Sequence, residues 1–226
     1  MIDPNRELLE SAADLLRPLL DELVFVGGCA TGLLITDPAS GGVRATNDVD
    51  ATVELSGYGE YAMLSEKLRG LGLKEDKEVI CRWHHGRLLI DVMPTDEKIL
   101  GFTNRWYPPG VATAAIVNVT GARIRLITAP YFVATKLVAF HGRGGGDIAG
   151  SHDLEDVFAV VDGRPEVVNE VVNSAADVRE FIAAEMQELL SARAFRDALP
   201  GFLLPDAISQ ERLSMLLDRI RQLAGQ

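Results

Sequence analysis

The chain has 226 residues, of which 47% are hydrophobic, and a formal net charge of -11 at pH 7. This length accommodates one large domain or two small ones with a sizeable hydrophobic core. The acidic balance argues against an extended nucleic-acid surface, because phosphate binding depends largely on clustered Lys and Arg. An RNA partner would need a local basic patch, although a solvated strand face explains most of the candidate side chains equally well. The candidates are Arg82, Arg87, Arg105, Arg123, Arg125 and Arg143.

The sequence also indicates the cellular compartment of the protein. The sequence has no run of eighteen apolar residues, and its first residues lack the basic and apolar regions of a signal peptide. We therefore expect a cytoplasmic protein with no membrane partner. Cys29 and Cys81 are too few and too far apart for a zinc spacing or a disulfide framework.

The first predicted elements surround a glycine turn. Leucine and alanine recur at helical spacing over residues 6–20, which predicts an amphipathic helix that covers one face of a sheet. Residues 23–26 form a short apolar run typical of a buried strand, and residues 30–35 can start a helix. Gly27 and Gly28 lie between them, so their backbone N–H groups are predicted to face an anion such as phosphate.

Three aspartates follow on later predicted strands. Apolar and polar side chains alternate after Asp48, and this period of two places Asp48 and Asp50 on the same face of the strand. Asp91 is the lone charge within the apolar segment 88–93. An ionised carboxylate in such a strand is costly unless it is paired or binds a metal. Hard oxygen ligands suit Mg²⁺, which bridges protein carboxylates to substrate phosphates.

The other strands are predicted as two hairpins. One turns around residues 84–87 and the other around Thr120 and Gly121, and a helix over residues 59–71 precedes both. Together with the earlier segments they predict a mixed β-sheet of about five strands with helices on one side.

Beyond residue 129 the pattern is helical only. The predicted helices cover residues 131–141, 153–161, 166–173, 177–192 and 207–223. We therefore predict an α+β fold with two domains, 1–129 and 130–226. The glycine-rich stretch 142–147 is interpreted as a flexible connector.

The order of these motifs resembles that of the nucleotidyltransferase superfamily. The pattern of that superfamily is Gly-Gly or Gly-Ser, then Asp-x-Asp, then a third acidic residue on a later strand. Gly27-Gly28, Asp48-x-Asp50 and Asp91 match it in order. Because each motif alone is common, the resemblance depends on the ordered set.

Two later segments, 130–140 and 151–156, narrow the resemblance to the AbiEii-type nucleotidyltransferases of type IV toxin–antitoxin systems. In that group a lysine and a downstream aspartate join the three carboxylates, which by position implies Lys136 and Asp153 here. The resemblance covers roughly residues 20–162.

This resemblance implies a Mg²⁺-dependent enzyme with a nucleotidyltransferase domain at 1–129 and a helical domain at 130–226 that completes the nucleotide pocket. It would transfer a nucleoside monophosphate from an NTP to an acceptor, with two Mg²⁺ ions bound during catalysis. The implied acceptor is tRNA or another RNA, and the implied protein partner is a separately encoded antitoxin. The implied catalytic and metal-binding residues are Asp48, Asp50 and Asp91, and the nucleotide-binding residues are Gly27, Gly28, Lys136 and Asp153.

Each strand residue of this set also has a purely structural explanation. Asp48 can cap the turn before its strand, and Asp50 can be an exposed strand residue. Asp91 can pair with Arg82 or Arg87 across the predicted hairpin.

The helical residues and the function have alternatives as well. Lys136 can extend to solvent from an apolar helix, and Asp153 can offset the dipole of the helix that it begins. A small-molecule acceptor, as in the aminoglycoside-modifying members of the superfamily, is one alternative function. A nucleotide-binding regulatory or interaction module without turnover is the other.

Overall fold

The computed structural model describes residues 3–143 and 146–226 and has an α+β fold. The described residues form two compact units. The first, called here the sheet unit, contains Pro4–Ala30 and Ala45–Thr128. The second, called the helical unit, contains Asp3, Thr31–Arg44 and the described residues from Ala129 onward.

A mixed sheet forms the centre of the sheet unit. Its strands are β1 Leu23–Val26, β2 Asp48–Val53, β3 Lys74–Glu75, β4 Arg82–His85, β5 Leu88–Pro94, β6 Ala115–Val119 and β7 Ala122–Leu126. Their order across the sheet is β3-β4-β5-β2-β1-β7-β6, with β1 antiparallel to β2 and β2 parallel to β5. The predicted mixed sheet is confirmed, with seven strands among the described residues in place of about five. The two-residue β3 is too short to show an alternating pattern in the sequence.

Both predicted hairpins are confirmed. β4 pairs with β5 and β6 pairs with β7, each pair antiparallel. The β6–β7 turn has positive φ angles at Thr120 (44°) and Gly121 (84°). Positive φ at both central residues defines the type I′ turn, whose twist matches that of the flanking strands.

The helices of the sheet unit support these strands. They are α1 Arg6–Leu15, α3 Tyr58–Gly70, α4 Glu97–Leu100 and α5 Tyr107–Ala112. α1 buries Leu9 and Ala12 and packs against β2 and β5, as its helical spacing of apolar residues predicts. It ends before the predicted residue 20, because Pro18 lies in a separate 3₁₀ turn that follows it.

The helical unit contains the other helices. They are α2 Thr31–Leu34, α6 Ala129–Gly142, α7 His152–Gly163, α8 Val167–Val172, α9 Ala176–Ser191, α10 Arg193–Ala198, α11 Ala207–Glu211 and α12 Leu213–Leu223. α6 and α7 pack together and bury Phe132, Leu137 and Phe158 completely. The single helix predicted over 207–223 is wrong, because it is interrupted at Arg212. The Arg212 side chain there hydrogen-bonds to Asp37 and Asp162.

The functional division into domains 1–129 and 130–226 stays a prediction. Thr31–Arg44 belongs to the same compact unit as the C-terminal helices, so one boundary in the sequence cannot separate the two units. Residues 144 and 145 of the predicted connector lie outside the described residues. In the described part of the chain, no helix is both long enough and apolar enough to cross a lipid bilayer.

Candidate active site

Three of the predicted site residues share one face of the sheet unit. Asp50 in β2 is the register partner of Asp91 in β5, and Asp91 is in turn the register partner of Arg82 in β4. Directly aligned residues on neighbouring strands project to the same side of a sheet. Asp48, two residues before Asp50, projects to that side too. The sheet therefore brings Asp48, Asp50 and Asp91 to one face together with an arginine.

The glycine turn closes against this face. Gly27 follows β1 and has a φ of 69°, a conformation that residues with a side chain rarely adopt. A Cβ atom at position 27 would overlap the carboxylate of Asp50. Residues Gly28–Ala30 form a 3₁₀ turn that leads into α2 at Thr31–Leu34, so the helix start predicted at 30–35 is confirmed. The backbone of Gly27 thus lies directly against Asp50, which requires glycine for both its conformation and its lack of a side chain.

Arg82 is bound to two of the three aspartates. Its Nε and Nη2 atoms donate to the two carboxylate oxygens of Asp91, each over 2.8 Å. Its Nη2 also donates to Oδ2 of Asp48 over 2.7 Å. The hydrogen bonds to Asp91, reinforced by the charges of Asp91 and Asp48, raise the pKa of Arg82 despite partial burial. The structural alternative for Asp91, a pair with Arg82, is therefore present and extends to Asp48.

These side chains differ in exposure. Asp91 is buried at 8% exposure, whereas the side chains of Asp48 and Arg82 are 31% and 25% exposed. Next to them, burial raises the pKa of the Cys81 thiol to about 11, and the negative charge of Asp91 adds to the shift. The carboxylate face is therefore reachable from solvent at Asp48 and enclosed at Asp91.

The other predicted site residues form a second cluster within the helical unit. Nζ of Lys136 in α6 lies 2.7 Å from Oδ2 of Asp156 and 3.2 Å from Oδ1 of Asp153, both in α7. All three residues are buried, with exposures between 1% and 7%. The alternative in which Lys136 extends to solvent is therefore wrong. Two buried carboxylates without a cationic partner would cost free energy. The ammonium group of Lys136 therefore pairs with them directly and does not extend to solvent.

Two arginines complete this cluster. Arg44 makes a two-pronged contact with Asp156, with both hydrogen bonds 3.0 Å long. Burial by itself lowers the pKa of Arg44, but the hydrogen bonds and charge of Asp156 outweigh it and leave the pKa raised. Arg143 approaches Asp153 to 3.1 Å from an exposed position.

The sequence predicts only part of this second cluster. Asp153 and Asp156 are three residues apart in a helix, which predicts that they share a side, and both contact Lys136. Arg44 had no local signal, since it lies 112 residues from its partner Asp156.

The arginines considered for a basic patch divide into two groups. Arg82 and Arg143 bind aspartates, and Arg125 donates to backbone carbonyl groups of Asp21 and Val111. Arg87, Arg105 and Arg123 are exposed on the sheet unit, and the guanidinium group of Arg105 lies 4.9 Å from the centre of the Trp106 ring.

The donor chemistry of the sheet face suits Mg²⁺, since it presents carboxylate oxygens on adjacent strands. Among residues 3–143 and 146–226, however, no three Asp, Glu, His or Cys side chains are arranged to hold a metal ion together. The guanidinium group of Arg82 occupies oxygens of both Asp48 and Asp91. The three aspartates have the oxygen ligands that suit a divalent cation. Two of them, Asp48 and Asp91, are already bound by the guanidinium group of Arg82.

The fold is that of a nucleotidyltransferase-like protein. An antigenic nucleotidyltransferase-like protein from Paracoccidioides brasiliensis superimposes with a TM-score of 0.52 at 16% identity, covering 86% of this chain and 93% of the other. At this level of identity the likeness establishes the fold and leaves the activity to be argued from the site.

Two further solved structures are similar in outline. ANT(2'')-Ia, in complex with adenylyl-2''-tobramycin, has a TM-score of 0.46 at 16% identity, covering 80% of this chain and 98% of that one. JHP933 from Helicobacter pylori has a TM-score of 0.47 at 12% identity, covering 98% and 91%. No protein-family model and no curated protein matches the sequence.

Proposed function

We propose that the chain is a Mg²⁺-dependent nucleotidyltransferase that moves a nucleoside monophosphate from an NTP to an acceptor and releases pyrophosphate. The observation that carries this proposal is the strand register: Asp50 in β2 is aligned with Asp91 in β5, on the same face of the sheet. Asp48 lies on the same face, and Gly27 lies against Asp50. Adjacent hard carboxylates beside a glycine turn are the groups that in-line nucleotidyl transfer needs from a protein.

Two roles are proposed for the three aspartates. Asp48 and Asp50 would hold the metal–triphosphate, and Asp91 would hold metal on the acceptor side, where its carboxylate would take the proton of the attacking hydroxyl group. When bound, Mg²⁺ would supply positive charge to the attacking and leaving oxygens. Gly27 and Gly28 contribute backbone N–H groups to phosphate binding, since neither adds a side chain that would hold the nucleotide away.

Lys136 and Asp153 are proposed to act on the nucleotide as the resemblance implies. An ammonium group is a compact charge suited to triphosphate oxygens, and Asp153 and Asp156 hold it in position. Because Lys136 is only 7% exposed, its geometry is set by these two carboxylates.

The acceptor is proposed to be tRNA or another RNA, with an antitoxin as partner, in line with the AbiEii-type resemblance. A small-molecule acceptor is the competing proposal, favoured by the net charge of -11 and by the few exposed arginines of the sheet unit. Phosphate contacts weaken steeply with salt. Acceptor binding that falls strongly between low and physiological salt would support RNA, and salt-insensitive binding would support a small neutral or cationic acceptor.

The test is label transfer from each α-labelled NTP, with Mg²⁺, to total RNA and to aminoglycosides. Asp50→Asn is the matched inactive variant, because it keeps the shape of the side chain and removes its charge. We expect transfer by the native protein and a loss of at least about 100-fold in the variant, equivalent to about 2.7 kcal/mol in the barrier. Equal, Mg²⁺-dependent transfer by both proteins would refute the assignment of Asp50.

A second candidate function is a nucleotide-binding module without turnover. The pairing of Arg82 with Asp48 and Asp91 favours it, since those oxygens are engaged. Tight binding of Mg–NTP, with no pyrophosphate released in the presence of any acceptor tested, would support this reading over the enzyme.

A further inference from the structure

Arg82 binds two of the aspartates that would hold the metal ion if the proposed function is correct. Its guanidinium group contacts both oxygens of Asp91 and one oxygen of Asp48, over 2.7–2.8 Å. These contacts are charge-assisted and have the parallel fork geometry in which arginine binds carboxylates most strongly. They engage oxygens on two of the three proposed metal ligands.

The carboxylate face needs a cation in the absence of metal. Asp50 and Asp91 are direct register partners, and like charges at such positions repel each other. Asp91 is also buried, which makes an uncompensated charge there expensive. Arg82 supplies one positive charge to the two carboxylates of Asp48 and Asp91, so this trio of side chains keeps a net negative charge that still attracts a divalent ion.

A guanidinium group and Mg²⁺ cannot use the same oxygens in the same directions. Mg²⁺ requires near-octahedral geometry at short distances, whereas the arginine fork fixes the two Asp91 oxygens from one side. The Arg82 side chain is 25% exposed and stands on a hairpin strand, so it can move toward solvent without unfolding β4.

We propose that Arg82 is a resident counter-cation of the carboxylate face, which holds Asp48 and Asp91 when no metal is bound and is released when a divalent cation binds. This inference rests on the proposed function. It makes Arg82 a residue that sets metal affinity, since each binding event has to displace its hydrogen bonds. The native protein should therefore bind free divalent ions weakly.

The experiment measures Mn²⁺ binding without nucleotide, from the electron paramagnetic resonance signal of the free ion. Arg82→Met removes the competing cation, and Arg87→Met removes an exposed arginine from the same hairpin as a control for overall charge. We expect Arg82→Met to bind Mn²⁺ at least about tenfold more tightly than the native protein, a change of about 1.4 kcal/mol. Arg87→Met should change the affinity by less than about twofold, as expected for an exposed charge that is screened.

Equal or weaker Mn²⁺ binding by Arg82→Met would overturn the inference, because Arg82 would then support the ligands and not compete for them. Asp50→Asn separates this result from a failure of the proposed function. If Asp50→Asn binds Mn²⁺ as well as the native protein, or if no variant binds it, the carboxylate face is not the metal site and both proposals fall. If only Asp50→Asn loses Mn²⁺ binding, the carboxylate face is the metal site, and this conclusion does not depend on the result for Arg82.

Arg82→Met leaves the buried Asp91 without its partner and can unfold the protein, which far-UV circular dichroism would reveal. Two further measurements then decide the matter. Arg82→Lys keeps the charge but cannot form the fork, and it should bind Mn²⁺ more tightly than the native protein. In the native protein, the Nε–Hε resonance of Arg82 should shift and lose protection from exchange when Mg²⁺ is added, whereas an unchanged resonance at saturating Mg²⁺ would contradict displacement.

Discussion

The backbone of Gly27 lies against the carboxylate of Asp50 so closely that a single Cβ atom at position 27 would overlap it. Two sequence motifs about twenty residues apart are thereby joined, because β1 and β2 are antiparallel neighbours in which Val26 aligns with Asp50. The glycine is needed for space as well as for its positive φ.

The first prediction separates these two requirements. Gly27→Ala and Gly121→Ala both place a side chain at positive φ, but only position 27 lacks room for it. Gly121→Ala should lose about 1 kcal/mol of unfolding free energy from backbone strain. Gly27→Ala should lose at least about 1 kcal/mol more, because Asp50 has to move. Urea denaturation measures both values, and equal losses would show that the contact with Asp50 is not a constraint.

The second prediction concerns the buried charge cluster of the helical unit. Lys136→Met leaves Asp153 and Asp156 without their shared ammonium group and should cost about 3 kcal/mol of unfolding free energy, because buried charges then lose a partner. Lys67→Met is the matched control, since Lys67 also pairs with a carboxylate, Glu22, but is half-exposed. It should cost less than about 1 kcal/mol. If chemical denaturation gives similar losses for both, the buried cluster contributes no more than a surface pair.

The third prediction is a pH dependence. Burial and the charge of Asp91 raise the pKa of Cys81 from 9.0 to about 11, so the folded protein holds the thiol proton more tightly than the unfolded chain does. The stability that this provides is fully present below pH 9 and is lost as the pH rises toward 11. The ¹³Cβ resonance of Cys81 should therefore show no titration between pH 7 and 9.

Asp91→Asn is the control for the cause of that shift. Removing the carboxylate charge should lower the midpoint of the Cys81 titration, although burial keeps it above the ordinary value. A midpoint at or below pH 9 in the native protein would contradict the assigned burial and charge effects. The difference in stability between the native protein and Cys81→Ala should likewise shrink between pH 9 and 11.

The elements of the fold that could be predicted are those with a local signal. The alternation of apolar and polar residues after Asp48 predicts β2, and the apolar run at 23–26 predicts β1. Thr120-Gly121 predicts the β6–β7 turn. The two-residue β3 and the break at Arg212 were missed, since neither changes the local pattern of apolar residues. The break occurs where a side chain bonds to residues distant in sequence, which no local window contains.

The sequence by itself determined which carboxylates share a face of their strand, because the side-chain period of two is a property of the backbone. It also determined that Gly27 and Gly28 interrupt regular structure and that Asp91 needs a partner. Only the tertiary structure decided what that partner is: the strand order places Arg82 beside Asp91 and within reach of Asp48, while Lys136 pairs with Asp153 and Asp156. Strand order and helix packing depend on contacts between residues far apart in the chain, so charges that look alike in sequence acquire their partners only when the chain folds.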